Sequence, residues 1–200
     1  MKAKNLIVLV LLAVFASSCC WHAQDEAPCY LTEAQKQLIP YEEGQVINFI
    51  DGAGQTVHLT VTKSQVEWSK VRLGNYCDTY MTKEQKLVTL ESESNNLKVY
   101  LSLENPSDTE CSNYRALVIR INSISDWFFL KSNANGVFLI DNSTFYDNST
   151  FYNSLEINGK VYYDVVEQKR DSLQLFYNKT YGILQFRKDG ADILTLKSEL

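Results

Sequence analysis

The sequence predicts an all-β domain: an antiparallel sandwich or a flattened barrel of about ten to twelve strands, with one short helix near its N-terminus. Three observations predict it. Apolar and polar residues alternate in short runs, the runs are rich in β-branched and aromatic residues, and Gly, Asn, Asp or Pro separates them. No break in composition divides residues 31–200, so we expect a single domain there.

The short helix is predicted by a capping box at its start. Thr32 can accept a hydrogen bond from the first helical turn, and Gln35 stands at the position that reaches back to it. Residues 33–39 favour a helix, and Pro40 ends the run. Three apolar residues around it are expected to pack on the domain: Leu31, Leu38 and Ile39.

The predicted strands follow one another along the chain. Residues 45–50 and 55–63 flank a turn of sequence Asp-Gly-Ala-Gly and predict a hairpin. Because the runs are short and closely spaced, we expect neighbouring strands to pair in antiparallel fashion. Further alternating runs occupy 97–103, 117–121, 161–165, 173–177, 182–186 and 194–196.

Residues 1–18 predict a signal peptide, which is not part of the fold. Lys2 and Lys4 precede ten apolar residues, 6–15. As a helix these would span about 15 Å, whereas a helix that crosses a bilayer needs roughly 20 apolar residues. The segment is therefore expected to direct export, and residues 19–30 to form a tether before the domain.

Cys19 is the predicted site of lipid attachment. Small residues precede it and a polar tether follows, as in bacterial lipoproteins that carry a diacylglyceryl group on this thiol. More than one acyl chain on a residue gives stable anchoring. Cys20 is the competing site, but it would put Cys19 rather than Ser18 directly before the cut. Ordinary secretion is the other alternative, because Ala16 and Ser18 also suit the general signal peptidase.

The charge of the chain argues against one class of partner. Nineteen Lys and Arg stand against 24 Asp and Glu, and removal of Lys2 and Lys4 leaves 17 basic residues and a net charge of −7. The sequence has no cluster of Lys or Arg, so we expect no nucleic-acid partner. An acidic chain is not drawn to anionic lipid by its charge, so attachment would depend on the lipid at Cys19.

Five cysteines stand at positions 19, 20, 29, 77 and 111. Lipidation of Cys19 leaves four, and four cysteines in an exported protein permit three disulfide pairings. We favour Cys77–Cys111, because both lie in turn-like segments that flank predicted strands, and this bridge could add about 4 kcal/mol. Cys20 and Cys29 would then pair or stay free. No CxxC motif indicates zinc, and no metal or cofactor is expected.

A hexapeptide is repeated without change: Asp-Asn-Ser-Thr-Phe-Tyr occupies both 141–146 and 147–152. Two copies are too few for a parallel β-helix, which needs about three or more to bury a core. The favoured interpretation is a duplicated surface hairpin or loop. The functional alternative is an aromatic ledge suited to stacking on sugar rings, formed by Phe145, Tyr146, Phe151 and Tyr152.

The sequence contains no recognisable catalytic motif. His22 lies in the tether and His58 in a predicted strand, and a catalytic His needs a positioned nucleophile and an orienting acid. No Gly-x-Ser-x-Gly elbow, Walker loop, GxGxxG or HExxH is present. We expect a non-enzymatic protein, and the alternative is a hydrolase with an unrecognised site around His58.

Three stretches resemble the small uncharacterised lipoproteins of Bacteroidetes, flavobacterial ones in particular. They are the junction Ser-Ser-Cys-Cys at 17–20, the segment 31–62 and the segment 177–196. The resemblance implies a signal peptide, a lipid-modified Cys19 and a β-rich domain. It transfers no catalytic residue.

Together these features predict a lipid-anchored cell-envelope lipoprotein with a non-enzymatic binding or scaffolding domain. We expect it at the outer membrane of a Gram-negative bacterium, facing the periplasm or the cell surface. Its expected partners are membrane lipid, through acylated Cys19, and a glycan or an envelope protein. The alternative binding function is a carbohydrate- or lipid-binding module at the cell surface.

Overall fold

The computed structural model describes residues 27–73, 79–94, 96–107, 111–112, 114–122, 127–139 and 148–197. Within these ranges no helix combines the length and the apolar character that crossing a bilayer requires. They contain one helix, α1 (Glu33–Lys36), and twelve strands. The strands are β1 (Val46–Asp51), β2 (Thr56–Leu73), β3 (Thr79–Ser92), β4 (Leu97–Glu104), β5 (Tyr114–Ile121), β6 (Trp127–Asn133), β7 (Phe138–Leu139), β8 (Asn148–Ile157), β9 (Lys160–Arg170), β10 (Leu173–Asn178), β11 (Gly182–Lys188) and β12 (Ala191–Leu196).

All twelve strands belong to one antiparallel sheet that curls into a half-barrel. The strand order is β7-β6-β5-β4-β3-β2-β1-β12-β11-β10-β9-β8, so strands joined by short turns lie side by side. β1–β7 form one meander of successively paired strands and β8–β12 form another. The pairing of β1 with β12 joins the two meanders. The prediction of an all-β antiparallel fold with one short helix is confirmed. Of its two forms, a single curled sheet corresponds to the barrel-like one rather than to two stacked sheets.

The first predicted hairpin is confirmed by the pairing of β1 with β2. Asp51 shapes the turn, because its Oδ1 accepts hydrogen bonds from the N–H groups of Ala53 (2.9 Å) and Gln55 (2.8 Å). β2 continues to Leu73, well past the predicted end at residue 63. The described side chains beyond residue 64 are partly or fully exposed, so this part of the strand lacks the apolar alternation that marks a core strand.

The inner face of the curl carries the main hydrophobic core. Alternate residues of strands from both meanders meet there and exclude water, as the period-two pattern predicts. Burial of each such side chain stabilises the fold by about 1.5–3 kcal/mol. Fully buried examples are Phe49, Leu90, Leu117, Leu175 and Phe186.

The residues before β1 join this core, and the predicted capping box is confirmed. The Gln35 N–H donates to Oγ1 of Thr32 (3.1 Å), and the Thr32 N–H donates to Oε1 of Gln35 (2.9 Å). Both side chains also bond to the β6–β7 turn, which fixes α1 on the sheet. The predicted apolar residues are buried together with one tyrosine: Leu31, Leu38, Ile39 and Tyr41.

α1 ends after one turn, earlier than the predicted 33–39. The ammonium of Lys86 donates to the backbone carbonyls of Lys36 (2.8 Å) and Ile39 (2.7 Å). A side chain from β3 thereby satisfies carbonyls at the end of the helix. Burial lowers the pKa of Lys86.

The predicted Cys77–Cys111 disulfide is wrong, because Cys111 is bonded to Cys29, with the two Cα atoms 5.5 Å apart. Cys77 lies outside the described residues. The main chain of Cys29 pairs with β3, donating to Thr82 and accepting from Glu84 at 2.8 Å each. This pairing brings the residue to the β4–β5 connection, which carries Cys111. A bridge between residues 82 positions apart is expected to stabilise the fold by about 4.5 kcal/mol in the chain-entropy model.

Candidate functional site

A cleft of about 310 Å³ opens where β1 meets β12, and we call it the Lys160 cleft. Four parts of the chain form it: the segment that leads into β1 together with the first half of β1, the start of β9, the β10–β11 turn, and the end of β12 with the residue that follows. The lining residues are Pro40, Tyr41, Gln45, Val46, Ile47, Asn48, Lys160, Thr180, Tyr181, Leu196 and Lys197.

The cleft is cationic in an otherwise acidic protein. Lys160 and Lys197 line it, and no Asp or Glu is among the described residues that do so. Asp and Glu outnumber Lys and Arg in the whole chain by 24 to 19. A local excess of positive charge attracts an anionic group on a ligand, and partial enclosure reduces the screening by water.

Tyr181 gives the cleft an aromatic wall. Its ring meets that of Tyr162 edge to face, with the centroids 5.5 Å apart and the planes at 86°. The Lys160 ammonium lies 5.1 Å from the centroid of Tyr181 and 5.4 Å from that of Tyr162. Tyr162 is buried in a second cluster on the outer side of the sheet, whereas Tyr181 keeps 43% of its surface exposed. Burial, with Tyr181 nearby, raises the pKa of Tyr162.

The turn that carries Tyr181 is held in place by Asn178. The Tyr181 N–H donates to Oδ1 of Asn178 (2.8 Å), and Nδ2 of Asn178 donates to the carbonyl of Tyr163 (3.1 Å). Asn178 is itself buried. A ligand would therefore meet a preformed turn and lose little affinity to its ordering.

His58 lies beside the cleft, but its neighbour is an amide. Its Nδ1 is 2.7 Å from Oδ1 of Asn48, which lines the cleft, and the two residues face each other across the β1–β2 ladder. The backbone of Lys197 also bonds to Asn48, at 2.8 Å. An amide orients an imidazole without supplying the negative charge that stabilises imidazolium. The arrangement therefore suits hydrogen bonding to a ligand better than general-base chemistry.

The predicted aromatic ledge is divided by the strand that carries it. Phe145 and Tyr146 lie outside the described residues. Phe151 and Tyr152 are adjacent in β8, so they point to opposite faces. Phe151 is exposed, while the Tyr152 hydroxyl donates to the buried carboxylate of Glu167 (2.7 Å). These two residues do not form one flat surface for stacking.

A wider depression of about 620 Å³ lies across β2, β3, β4 and β5. Its lining includes the apolar residues Leu87 and Val118 and the charged residues Lys63, Glu104 and Arg120. Because charges of both signs line it, it shows no chemical preference as definite as that of the Lys160 cleft.

The residues that line the cleft are far apart in the sequence and belong to no common motif. Lys160 follows the turn Asn158-Gly159, and Tyr181 precedes Gly182. These turns were the signal that the sequence offered, but a turn alone does not say which strands it lies against. The sheet order, with β1 beside β12, brings Asn48 and Lys197 to the same cleft.

Within the described ranges, no group of three or more His, Cys, Asp or Glu residues is arranged so that it could hold a metal ion. Comparison with protein-family models, with curated proteins and with solved structures found no match to the chain.

Proposed function

We propose that the chain is an exported, lipid-anchored, non-enzymatic binding domain of a Gram-negative cell envelope. Residues 1–18 would direct export, and acyl chains on Cys19 would hold the domain at the outer membrane. The support in the sequence is the positive start, the ten-residue apolar run and the small residues that precede Cys19.

The structural observation that carries this proposal is the Cys29–Cys111 disulfide. Disulfides persist in oxidising compartments and are rare in reducing ones, so this bond favours an exported protein. The bond also stands ten positions after Cys19. It joins the beginning of the domain covalently to the β4–β5 connection. Force that acts on the domain through Cys19 would therefore be borne by the disulfide as well as by hydrogen bonds.

Metabolic labelling with a fatty-acid analogue in a Gram-negative host tests the anchor. We expect the wild-type chain to carry the label and to sediment with membranes, and Cys19→Ala to lose both properties. Cys20→Ala is the matched control, because it removes the neighbouring thiol and should leave label and sedimentation unchanged. Continued labelling of Cys19→Ala would overturn the proposal.

A second candidate function, glycan binding, is favoured by the Lys160 cleft. The exposed ring of Tyr181 can stack on a sugar, while Gln45, Asn48 and Thr180 offer hydrogen-bonding groups. The two lysines favour a sugar that carries a carboxylate. The volume is at the lower end of the roughly 300–1,000 Å³ of small-molecule sites. The filled core of the curl favours this surface cleft over an internal lipid cavity.

Binding of an oligosaccharide of galacturonic acid and of a neutral galactose oligosaccharide separates charge recognition from stacking. We expect the acidic ligand to bind more tightly, and Lys160→Gln to weaken it about tenfold, because a charge-assisted hydrogen bond is lost. Lys188→Gln, an exposed lysine at the end of β11, is the control and should not change affinity. Equal affinity for both ligands, unchanged by Lys160→Gln, would contradict the assignment.

A further inference from the structure

Part of the β2–β3 hairpin extends beyond the rest of the sheet. β1 pairs with β2 only as far as Thr60, and β4 pairs with β3 only from Lys86 onward. Residues 66–73 of β2 and 79–86 of β3 therefore pair with each other at this end of the hairpin, and Cys29 adds an isolated bridge at Lys83. We call this segment the β2–β3 ribbon. Eight residues of strand extend about 26 Å. The β3 strand of the ribbon is covered, with Met81, Lys83 and Glu84 buried, whereas its β2 strand carries exposed side chains.

The N-terminal segment is fastened to this ribbon. The backbone of Cys29 bonds to β3, and the Leu31 N–H donates to Oε2 of Glu84 (2.8 Å). The Arg115 guanidinium donates to the carbonyl of Tyr30 (2.8 Å), and the Cys29–Cys111 disulfide adds a covalent link. The point where the tether enters the domain therefore has a fixed position on the ribbon.

Two large aromatic residues are exposed together at this point. Tyr30 and Trp68 meet edge to face with their centroids 5.3 Å apart. They nevertheless keep 61% and 51% of their surfaces exposed, and Val66 keeps 43%. Val66 and Trp68 share one face of β2, because residues two positions apart point the same way. Exposed Lys70 and Arg72 continue that face.

The length of the tether restricts where this aromatic patch can be. Eight residues, 19–26, lie between the start of the proposed mature chain and Ala27. A chain from Cys19 to Ala27 spans at most about 29 Å when fully extended. If Cys19 is in the membrane through its acyl chains, the tether keeps Ala27 within reach of the bilayer, so Tyr30 and Trp68 can contact its surface.

We propose that Tyr30, Trp68 and Val66 rest in the headgroup region of the bilayer that holds Cys19. Tyr and Trp prefer this region, because their rings are apolar while their O–H and N–H groups bond to headgroups and water. The cations that continue the face lie where lipid phosphates would be. The contact would fix the orientation of the domain relative to the bilayer. This inference rests on the proposed lipid anchor.

Tryptophan fluorescence in vesicles tests the contact. The chain has three tryptophans, at positions 21, 68 and 127. Trp21→Phe with Trp127→Phe leaves Trp68, and Trp21→Phe with Trp68→Phe leaves Trp127 as the matched control. The acylated protein is placed in vesicles of phosphatidylethanolamine and phosphatidylglycerol with brominated acyl chains. We expect about a twofold loss of Trp68 emission with a blue shift, and little change for Trp127. Absence of Trp68 quenching, or equal quenching of both, would overturn the inference.

A second arm separates this inference from the proposed anchor. The mature chain with Cys20→Ser and Cys77→Ser is coupled through Cys19 to a maleimide phospholipid in the same vesicles. Quenching of Trp68 in the coupled chain, without acylation in cells, would support the contact and contradict the natural anchor. A naturally acylated protein that floats with vesicles but shows no Trp68 quenching would support the anchor and contradict the contact. Intact mass confirms in each variant that the Cys29–Cys111 bond has formed.

Discussion

The side-chain amide of Gln168 bonds to both backbone groups of Phe129. The Phe129 N–H donates to Oε1 (2.7 Å), and Nε2 donates to the Phe129 carbonyl (2.8 Å). One step along, the Arg170 guanidinium donates to the carbonyl of Trp127 (3.0 Å). β7 pairs with a different part of β6. Side chains of β9 therefore bond to backbone groups of β6 that a neighbouring strand would otherwise pair with. These bonds hold the two ends of the curled sheet together. They also cover part of the β6 edge, and an uncovered strand edge favours aggregation.

Replacement of Gln168 by Leu is expected to reduce the free energy of unfolding by about 2 kcal/mol, because it leaves the N–H and the carbonyl of Phe129 without partners at a mostly buried place. Urea unfolding followed by circular dichroism measures it. Gln65→Leu, at an exposed position of β2, is the control and should change stability by less than about 0.5 kcal/mol. Equal stability of the two variants would mean that the amide contributes nothing to closure.

Gly182→Ala is expected to destabilise the domain more than Gly190→Ala. Both glycines have positive φ, +76° and +79°, where a Cβ costs about 1–2 kcal/mol. A Cβ at Gly190 would meet open space, whereas one at Gly182 would collide with the Tyr41 ring, whose hydroxyl accepts a hydrogen bond from Ile183 (2.7 Å). We expect Gly182→Ala to lose at least about 2 kcal/mol more, read from thermal or urea unfolding. Equal losses would show that the ring yields without strain.

Removal of the disulfide by Cys29→Ser with Cys111→Ser is expected to lower the free energy of unfolding by about 2–5 kcal/mol. Cys77→Ser should leave it unchanged, since Cys111 is bonded to Cys29. Unfolding with and without a reductant gives the stabilities, and peptide mapping under non-reducing conditions gives the pairing. A peptide that joins Cys77 to Cys111 would refute the assignment.

Stability is expected to fall above pH 10 because of two buried tyrosines. Burial raises the pKa of Tyr41 and of Tyr177. Their contribution is complete below the ordinary tyrosine pKa of about 10 and is lost as pH rises further, because the unfolded chain releases the proton first. Each group adds a slope of up to about 1.4 kcal/mol per pH unit. Tyr177→Phe should flatten the decline, and Tyr163→Phe, 68% exposed, should not.

Urea unfolding at intervals between pH 8 and pH 11 measures these slopes. Lys86, whose pKa burial lowers, acts in the opposite direction, since its deprotonation favours the folded state as pH rises. It is present in both tyrosine variants and cancels in their comparison. Parallel curves for Tyr177→Phe and the wild type would show that ionisation of Tyr177 is not what limits alkaline stability.

Local features could be predicted from the sequence because neighbours in the chain decide them. The capping box needs only Thr32 and Gln35, three positions apart, and both hydrogen bonds are present. The alternation at 57–61 places Val57, Leu59 and Val61 on one face of the strand, whichever strand pairs with it. All three are in the core.

The far part of β2 offered no such signal, because its described side chains beyond residue 64 are partly or fully exposed. In β3 the buried residues include polar ones such as Lys83 and Glu84 beside Met81, so the strand lacks a simple apolar alternation.

The hexapeptide repeat shows where a local pattern was misleading. The ledge joined adjacent residues of one copy, and an extended strand sends adjacent side chains to opposite faces. Tyr152 therefore packs towards Glu167, and Phe151 does not share its surface. The favoured interpretation allowed a surface hairpin or a loop, and the second copy belongs to an extended strand that pairs with β9, so alternation separates the two side chains. The structure assigns residues 148–152 to β8.

The amino-acid sequence alone was enough to predict the alternation of the core strands, the turn after β1 and the start of the helix, because each depends on residues within a few positions of one another. The lipid site at Cys19 stays a prediction. Three relationships required the folded chain: the bond from Cys29 to Cys111, the meeting of Asn48 with Lys160 and Tyr181, and the contact of Gln168 with Phe129. Each joins segments that strand order and the curl of the sheet bring together. The curl is the sum of small twists over many strands, and no single stretch of sequence records where it closes.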